Sequence, residues 1–149
     1  MKIKFEDLYK SKNRLFERQY EDKILAKKAG YDSAKNLAVY FKVKLIDENT
    51  IELYTEINGE IVLNCDRCLD DFNYEVNTGS TQKFSVSELG PEKELDVEEE
   101  LRQSLALSRP MKVLCKDSCR GLCPLCGKNL NEESCGCVKQ RGVINWRRG

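Results

Sequence analysis

Alternation of apolar and polar side chains dominates the middle of the chain. Residues 39–45, 51–57 and 72–76 alternate with a period of two, and residues 60–65 form a further candidate strand after Asn58-Gly59. This period is typical of half-buried β-strands. Asn58-Gly59 predicts a hairpin turn because both residues tolerate positive φ, and the stretch 77–80 predicts a second turn. Residues 36–86 therefore predict an antiparallel β-meander with one buried and one wet face.

The pattern changes beyond residue 86. A polar connection is expected over 87–94, followed by an amphipathic helix from about 96 to 108, in which Val97, Leu101 and Leu105 form one apolar stripe. Asp96 with Glu99 three residues later resembles a capping box, and Pro110 ends the helix. The segment before the meander is weakly patterned; it predicts a helical turn at 5–9 and a strand at 14–22.

From residue 111 onward the chain has little periodicity and few large apolar side chains, but it has six of the eight cysteines. Such a segment cannot bury enough apolar surface to fold by that means alone. We predict an α+β protein, with an antiparallel sheet and one amphipathic helix over residues 1–110. A cysteine-rich, zinc-binding C-terminal lobe over 111–149 completes the fold and is expected to form one structural unit with the rest.

The cysteines are predicted to bind metal. The N-terminal segment is charged throughout and has no apolar run typical of a secretion signal, so we expect a cytoplasmic protein with reduced thiols. The chain contains no histidine, which excludes Cys–His and Ser–His catalytic arrangements. Thiolate-rich zinc sites remain as the expected chemistry. The predicted ligands are Cys65, Cys68, Cys115, Cys119, Cys123, Cys126, Cys135 and Cys137.

Two zinc ions with four cysteines each are expected. The simplest division puts Cys123, Cys126, Cys135 and Cys137 in one site, and Cys65, Cys68, Cys115 and Cys119 in the other. A second division pairs Cys115 and Cys119 with Cys123 and Cys126, and the spacing does not choose between them. Two residues between cysteines let both sulfurs reach one ion, and the glycine after Cys126 permits the tight backbone of a zinc knuckle.

The formal net charge is zero, but residues 109–149 carry nine basic and three acidic side chains. Because a zinc ion with four thiolates has a net charge of −2, part of this excess neutralises the metal sites. The candidate nucleic-acid contacts are Lys112, Lys116, Arg120, Lys128, Lys139 and Arg141. Trp146 among the terminal arginines is either an RNA-stacking residue or an anchor for a frayed terminus.

No enzymatic activity and no small-molecule substrate are expected, because eight thiols fill two sites and leave no open position for water. The chain lacks an apolar run of about 20 residues, so no membrane partner is expected. The alternative function is a redox-sensitive zinc chaperone or sensor, since oxidation of such centres releases metal.

Several motifs resemble the YceD family. They are CDRCLDDF at 65–72, RPMKVLC at 109–115, CRGLCPLCGKNLN at 119–131 and CGC at 135–137, with an acidic amphipathic helix after the first of them. The resemblance implies a non-enzymatic role in the accumulation of large-subunit ribosomal RNA and in ribosome biogenesis. It also implies large-subunit rRNA or a large-subunit ribosomal protein as partner. The C-terminal VKQRGVINWRRG differs from the basic amphipathic helix with which relatives often end.

Overall fold

The structure is a computed structural model that describes residues 1–137. Its strands are β1 (Lys2–Lys4), β2 (Leu15–Glu21), β3 (Ser33–Asp47), β4 (Thr50–Asn64), β5 (Asp71–Ser85) and β6 (Glu94–Asp96). Its helices are α1 (Phe5–Lys10), α2 (Lys23–Lys28) and α3 (Val97–Leu107), with 3-10 turns at Lys12–Arg14 and Val86–Leu89. The mixed α and β content with antiparallel sheets confirms the predicted fold class.

A four-stranded sheet in the order β2-β3-β4-β5 forms the meander. The β2–β3 and β3–β4 pairs are antiparallel. On β3, Leu37, Val39, Phe41, Val43 and Leu45 are buried while the residues between them are not, as the alternation predicts. β1 and β6 pair separately as a two-stranded antiparallel sheet.

The predicted hairpin at Asn58-Gly59 is wrong. β4 runs without interruption through both residues, and the β3–β4 turn lies instead at Glu48-Asn49, where the Asp47 carboxylate accepts the Asn49 N–H at 2.8 Å. The register shifts beside Gly59, between Ala34 and Leu37, which marks a β-bulge. A Cβ on Gly59 would lie 1.8 Å from the Asn36 carbonyl oxygen. Glycine is required there because two backbones approach closely, not because the chain turns.

The turn predicted at 77–80 is also wrong, because β5 continues from residue 71 to residue 85. Ser80 lies within this strand and its hydroxyl is 2.8 Å from the Thr55 hydroxyl of β4. The Thr55 side chain is buried, so this hydrogen bond satisfies a polar group inside the sheet's covered face. The polar stretch 77–80, which predicted a turn, therefore lies in the interior of a strand.

The helix predicted at about 96–108 is confirmed as α3. The Asp96 carboxylate caps it by accepting the Glu99 N–H at 3.3 Å. Its apolar stripe, Val97, Leu101 and Leu105, is fully buried. The Tyr31 hydroxyl donates to the Leu105 carbonyl at 2.9 Å. The sequence pattern did not predict α2, β1 or β6, all of which have six residues or fewer.

The chain divides into two compact units. The first consists of Met1–Val62 and Asn73–Arg109 and contains the core of the meander and α3. The second consists of Leu63–Phe72 and the chain from Pro110 onward. The connection between β4 and β5 thus belongs to the cysteine-rich unit, so this unit is built from two separate stretches of sequence.

Candidate metal centres

The second unit gathers all eight cysteines into two groups of four. The first cluster is Cys65, Cys68, Cys115 and Cys119, and the second is Cys123, Cys126, Cys135 and Cys137. Within each cluster the four sulfurs lie within 4.8 Å of one another. This is the grouping that the simplest division of the cysteines predicted.

The sulfur spacing fits a tetrahedral metal ion. The Sγ atoms of Cys65 and Cys119 are 3.8 Å apart, and those of Cys68 and Cys115 are 3.7 Å apart. Four thiolates about 2.3 Å from a zinc ion have sulfurs about 3.8 Å from one another. A disulfide would need sulfurs about 2.05 Å apart, and all eight cysteines are free thiols. Zinc fits this donor set, and the identity of the metal remains a prediction.

The two C-x-x-C segments fold in the same way. We call residues 65–70 the first knuckle and residues 123–128 the second knuckle. In the first knuckle, the Leu69 N–H donates to the Cys65 carbonyl at 2.9 Å, and the Cys65 N–H donates to the Asp70 carbonyl at 2.9 Å. In the second, the corresponding bonds are Gly127 to Cys123 and Cys123 to Lys128, both at 2.8 Å.

These turns aim backbone N–H groups at sulfur. Burial raises the pKa of the Cys65 thiol, but N–H groups of Cys68, Cys115 and Arg67 outweigh burial and bring the pKa to about 6. The Cys115 N–H lies 3.4 Å from Cys65 Sγ. Hydrogen bonds that favour the anionic form lower a pKa. A thiol with a lowered pKa is more often present as the thiolate, which is the form that binds metal.

The second knuckle shows the same effect. The N–H groups of Cys126 and Leu125 lower the pKa of Cys123 to about 6, against the opposing effect of burial. In the first cluster, the Asn131 side-chain amide lowers the pKa of Cys119 and lies 3.3 Å from its sulfur. Each cluster thus has at least one thiol that loses its proton easily.

The thiols of Cys68, Cys115 and Cys137 hold their protons more tightly, because each has a raised pKa. An N–H at Asp70 lowers the pKa of Cys68, but burial and the neighbouring thiols outweigh it and raise the pKa to about 12. A hydrogen bond with Cys126 raises the pKa of Cys137 to about 11. Crowded thiols disfavour a second negative charge. Binding of a metal cation to either cluster would therefore release protons.

Non-cysteine residues of the first knuckle hold it against the segment 113–122. The Asp66 carboxylate accepts the Val113 N–H at 3.0 Å, and the Asp66 N–H donates to the Val113 carbonyl at 2.8 Å. The Arg67 guanidinium donates to the Cys119 carbonyl at 2.9 Å. Gly121 has a φ of +75°, and a Cβ there would lie 3.1 Å from the Arg67 carbonyl oxygen. These contacts hold the segment that carries Cys115 and Cys119 beside Cys65 and Cys68.

Two asparagines also form hydrogen bonds with residues at the first cluster. The Asn129 side-chain amide donates to the Asp70 carboxylate at 2.7 Å, and the side-chain Oδ1 of Asn131 accepts the Arg120 N–H at 2.9 Å. Metal-ligand reasoning did not single out Asp66, Arg67, Asp70, Gly121, Asn129 or Asn131. The available signal was their place inside the motifs at 65–72 and 119–131.

The predicted nucleic-acid contacts within residues 1–137 are all exposed side chains of the second unit. Lys112, Lys116 and Arg120 lie near the ligands of the first cluster in sequence. Lys128 forms an ion pair with Glu133 at 3.2 Å, and this partner raises the pKa of Lys128. Lys139, Arg141 and Trp146 lie outside the residues that the structure describes. Nucleic-acid contact by these side chains stays a prediction.

Comparison with known proteins identifies the class to which this chain belongs. Residues 53–147 match the family described as "Large ribosomal RNA subunit accumulation protein YceD", and the match spans both clusters. The chain belongs to this family, as its motifs predicted. No solved structure matches it. Within residues 1–137, no helix has the length and apolar character needed to cross a membrane.

Two plant proteins are similar to the chain. Both carry the name "Large ribosomal RNA subunit accumulation protein YCED homolog 1, chloroplastic". The Arabidopsis thaliana protein is 33% identical over 48 residues, which are 32% of this chain and 15% of that protein. The Zea mays protein is 36% identical over 76 residues, which are 51% of this chain and 25% of that protein. The match therefore spans a quarter or less of the length of either relative.

Proposed function

We propose that the chain is a non-enzymatic, cytoplasmic zinc-binding factor that supports accumulation of large-subunit ribosomal RNA. It acts by binding that RNA or a large-subunit ribosomal protein. The family to which it belongs is named for this accumulation. The chemical part of the proposal depends chiefly on one observation, the two four-cysteine clusters with sulfurs at tetrahedral spacing.

The arrangement favours binding over catalysis. A catalytic zinc keeps one coordination position open for water, whereas a structural zinc has four protein ligands. Eight cysteines in two groups of four supply closed sites. In this proposal the ions fix the loops of the second unit, and those loops present Lys112, Lys116 and Arg120 to RNA phosphates or to a protein.

Metal analysis of the purified chain tests the zinc sites. Two zinc ions per chain are expected. Cys65→Ser and Cys119→Ser should each lose the ion of the first cluster, while Cys123→Ser should lose the other. Ser118→Ala and Ser134→Ala are matched controls, because both serines are exposed and lie within the same loops. One zinc per chain, unaffected by Cys65→Ser, would overturn the proposed two-site arrangement.

The cellular role is tested by removing the gene and measuring the ratio of large-subunit to small-subunit rRNA. A lowered ratio is expected, restored by the wild-type chain and by Ser118→Ala but not by Cys65→Ser. Retention of a normal ratio without the gene contradicts the proposed role.

RNA affinity of the purified chain separates the two versions of the proposal. Direct phosphate contact requires binding that weakens steeply with salt. Loss of rRNA in the cell without RNA affinity in solution leaves the version with a ribosomal protein as partner.

A further inference from the structure

The outer face of the four-stranded sheet carries a mixed aromatic and basic depression in the first unit. On β3 and β4, Lys42 lies opposite Tyr54 and Lys44 lies opposite Glu52. Together with Tyr40 of β3 and Thr81 of β5, they line an open cavity of about 340 Å³. None of these side chains belongs to the buried set of the sheet's other face, so the depression lies on the side away from the core.

The two aromatic rings of the depression are held in place. Their centroids are 6.1 Å apart with an interplanar angle of 62°. The Tyr40 hydroxyl donates to the Glu17 carboxylate at 2.9 Å, and the Tyr54 hydroxyl donates to Glu56 at 3.1 Å. Rings fixed in this way bind a flat partner with little loss of side-chain entropy. Aromatic side chains on an open sheet stack well against unpaired bases.

Among residues 1–137, two cations of the depression have no ion-pair partner. Glu52 forms an ion pair with Lys83 at 3.9 Å. Within residues 1–137, neither Lys42 nor Lys44 makes an ion pair. Each is therefore available to an anionic ligand. Both lysines lie on β3, which also carries Tyr40, and Lys42 lies opposite Tyr54 of β4. The remaining carboxylates nearby, Glu17 and Glu56, are hydrogen-bonded to the tyrosine hydroxyls.

From this combination we infer that the depression binds single-stranded RNA. Bases stack on Tyr40 and Tyr54, and Lys42 and Lys44 contact the adjoining phosphates. In duplex RNA the base faces are stacked on one another and cannot contact the tyrosine rings. An acidic protein would form ion pairs with the lysines but would not require the rings. The inference rests on the proposed function and deepens it, because it adds an RNA contact on the first unit, outside the cysteine loops.

The test uses the full zinc-loaded chain and a fluorescently labelled 12-nucleotide single-stranded RNA of mixed sequence, with binding followed by anisotropy. Tyr40→Val and Tyr54→Val remove a ring but keep a residue that favours strands. Each should weaken binding about fivefold or more, which corresponds to the ~1 kcal/mol minimum for one stacked base. Tyr40→Phe and Tyr54→Phe keep the ring and should bind within about twofold of wild type. Unchanged zinc content and circular dichroism establish that each variant is folded.

The lysines are tested by salt dependence. In single-stranded RNA, each phosphate contact contributes about −0.7 to the slope of log K against log salt. The double variant Lys42→Gln/Lys44→Gln should therefore make the slope shallower by about 1.4. Lys35→Gln is the matched control, because Lys35 is an exposed lysine of β3 outside the depression.

Two results would overturn the inference. In the first, the wild-type chain binds RNA and the valine and glutamine variants bind equally well; the proposed function then stands and only this site fails. In the second, polyglutamate displaces the labelled RNA as effectively as unlabelled RNA does, and the valine variants bind polyglutamate as tightly as the wild type. That result would identify an acidic protein as the ligand. Failure of the proposed function itself appears separately, as a normal rRNA ratio in cells that lack the gene.

Discussion

At the scale of single residues, Leu69 occupies a position that glycine fills in the second knuckle. Its φ is +64°, while Gly127 at the corresponding place has a φ of +75°. The left-handed conformation costs a non-glycine L-residue roughly 1–2 kcal/mol. The Leu69 side chain is 59% exposed, so the free energy gained by burying it does not fully offset the cost of this conformation. The first knuckle therefore folds against the preference of one of its own residues.

Replacing Leu69 by glycine should accordingly stabilise the zinc-loaded chain, by up to about 1 kcal/mol once the added flexibility of glycine is deducted. The measurement is the free energy of unfolding in denaturant at fixed free zinc. Leu125→Gly is the matched control, because Leu125 is 64% exposed in the second knuckle and has no positive φ. That control should lose about 0.5–1 kcal/mol. Equal losses in both variants would show that Leu69 is not strained.

At the scale of secondary structure, an acidic residue in the first turn of α3 pairs with charged groups from two other parts of the chain. The Glu98 carboxylate accepts a hydrogen bond from the Met1 amino group at 3.0 Å and also pairs with Lys28 of α2. Hydrogen bonds with Lys28 and with the amino terminus lower the pKa of Glu98. Glu100, two residues later, has a raised pKa, chiefly because of burial. Neighbouring carboxylates of one helical turn thus have opposite effects on stability.

The pH dependence follows from these directions. A carboxylate with a lowered folded pKa contributes stability that is present above its unfolded pKa, about 4.3, and is lost as pH falls through the folded value. Glu98→Gln should therefore destabilise the chain at pH 7 by about 0.2–1 kcal/mol, the range for exposed ion pairs, and less at pH 3. Glu100→Gln, with the same change of charge, should be neutral or stabilising at pH 7. Thermal unfolding at the two pH values measures both, and equal destabilisation by both variants would refute the assignment.

Secondary structure was predictable where its signal was periodic. The alternation over 39–45 and the stripe on α3 gave the correct elements, because burial of one face sets the period. The Asn58-Gly59 signal misled because glycine serves equally in a turn and where backbones approach closely, and only the partner strand distinguishes the two. Short elements such as α2 carry too few residues for a period, and contacts with distant segments stabilise them instead.

At the scale of the whole molecule, the cysteine spacing predicted the clusters but not their surroundings. The two residues within a C-x-x-C pair let both sulfurs reach one ion, so both knuckles were recognisable in the sequence. The partner of the first knuckle lies about 50 residues away, and two divisions of the ligands remained open. Contacts such as Arg67 to the Cys119 carbonyl decide between them, and such contacts depend on the folded backbone rather than on spacing.

The two units should differ sharply in their dependence on metal. In the described part of the second unit, Leu63 and Val113 are the only buried hydrophobic residues besides cysteines. The first unit buries the apolar face of its sheet and the stripe of α3. Structural zinc in small peptides contributes roughly 10–16 kcal/mol near pH 7, far more than two aliphatic side chains at about 1.5–3 kcal/mol each. The metal is therefore expected to be the main source of order in the second unit.

Removal of metal by a strong chelator under reducing conditions should consequently unfold the second unit and leave the first folded. Hydrogen exchange measured by mass spectrometry should show lost protection in peptides from 63–72 and 110–137, while peptides from β3 and α3 keep theirs. Cys123→Ser should reproduce the loss around the second knuckle alone, and re-addition of zinc should restore protection in the wild type. Retained protection of 110–137 after complete metal removal would mean that hydrogen bonds such as Asp66 to Val113 hold the unit without an ion.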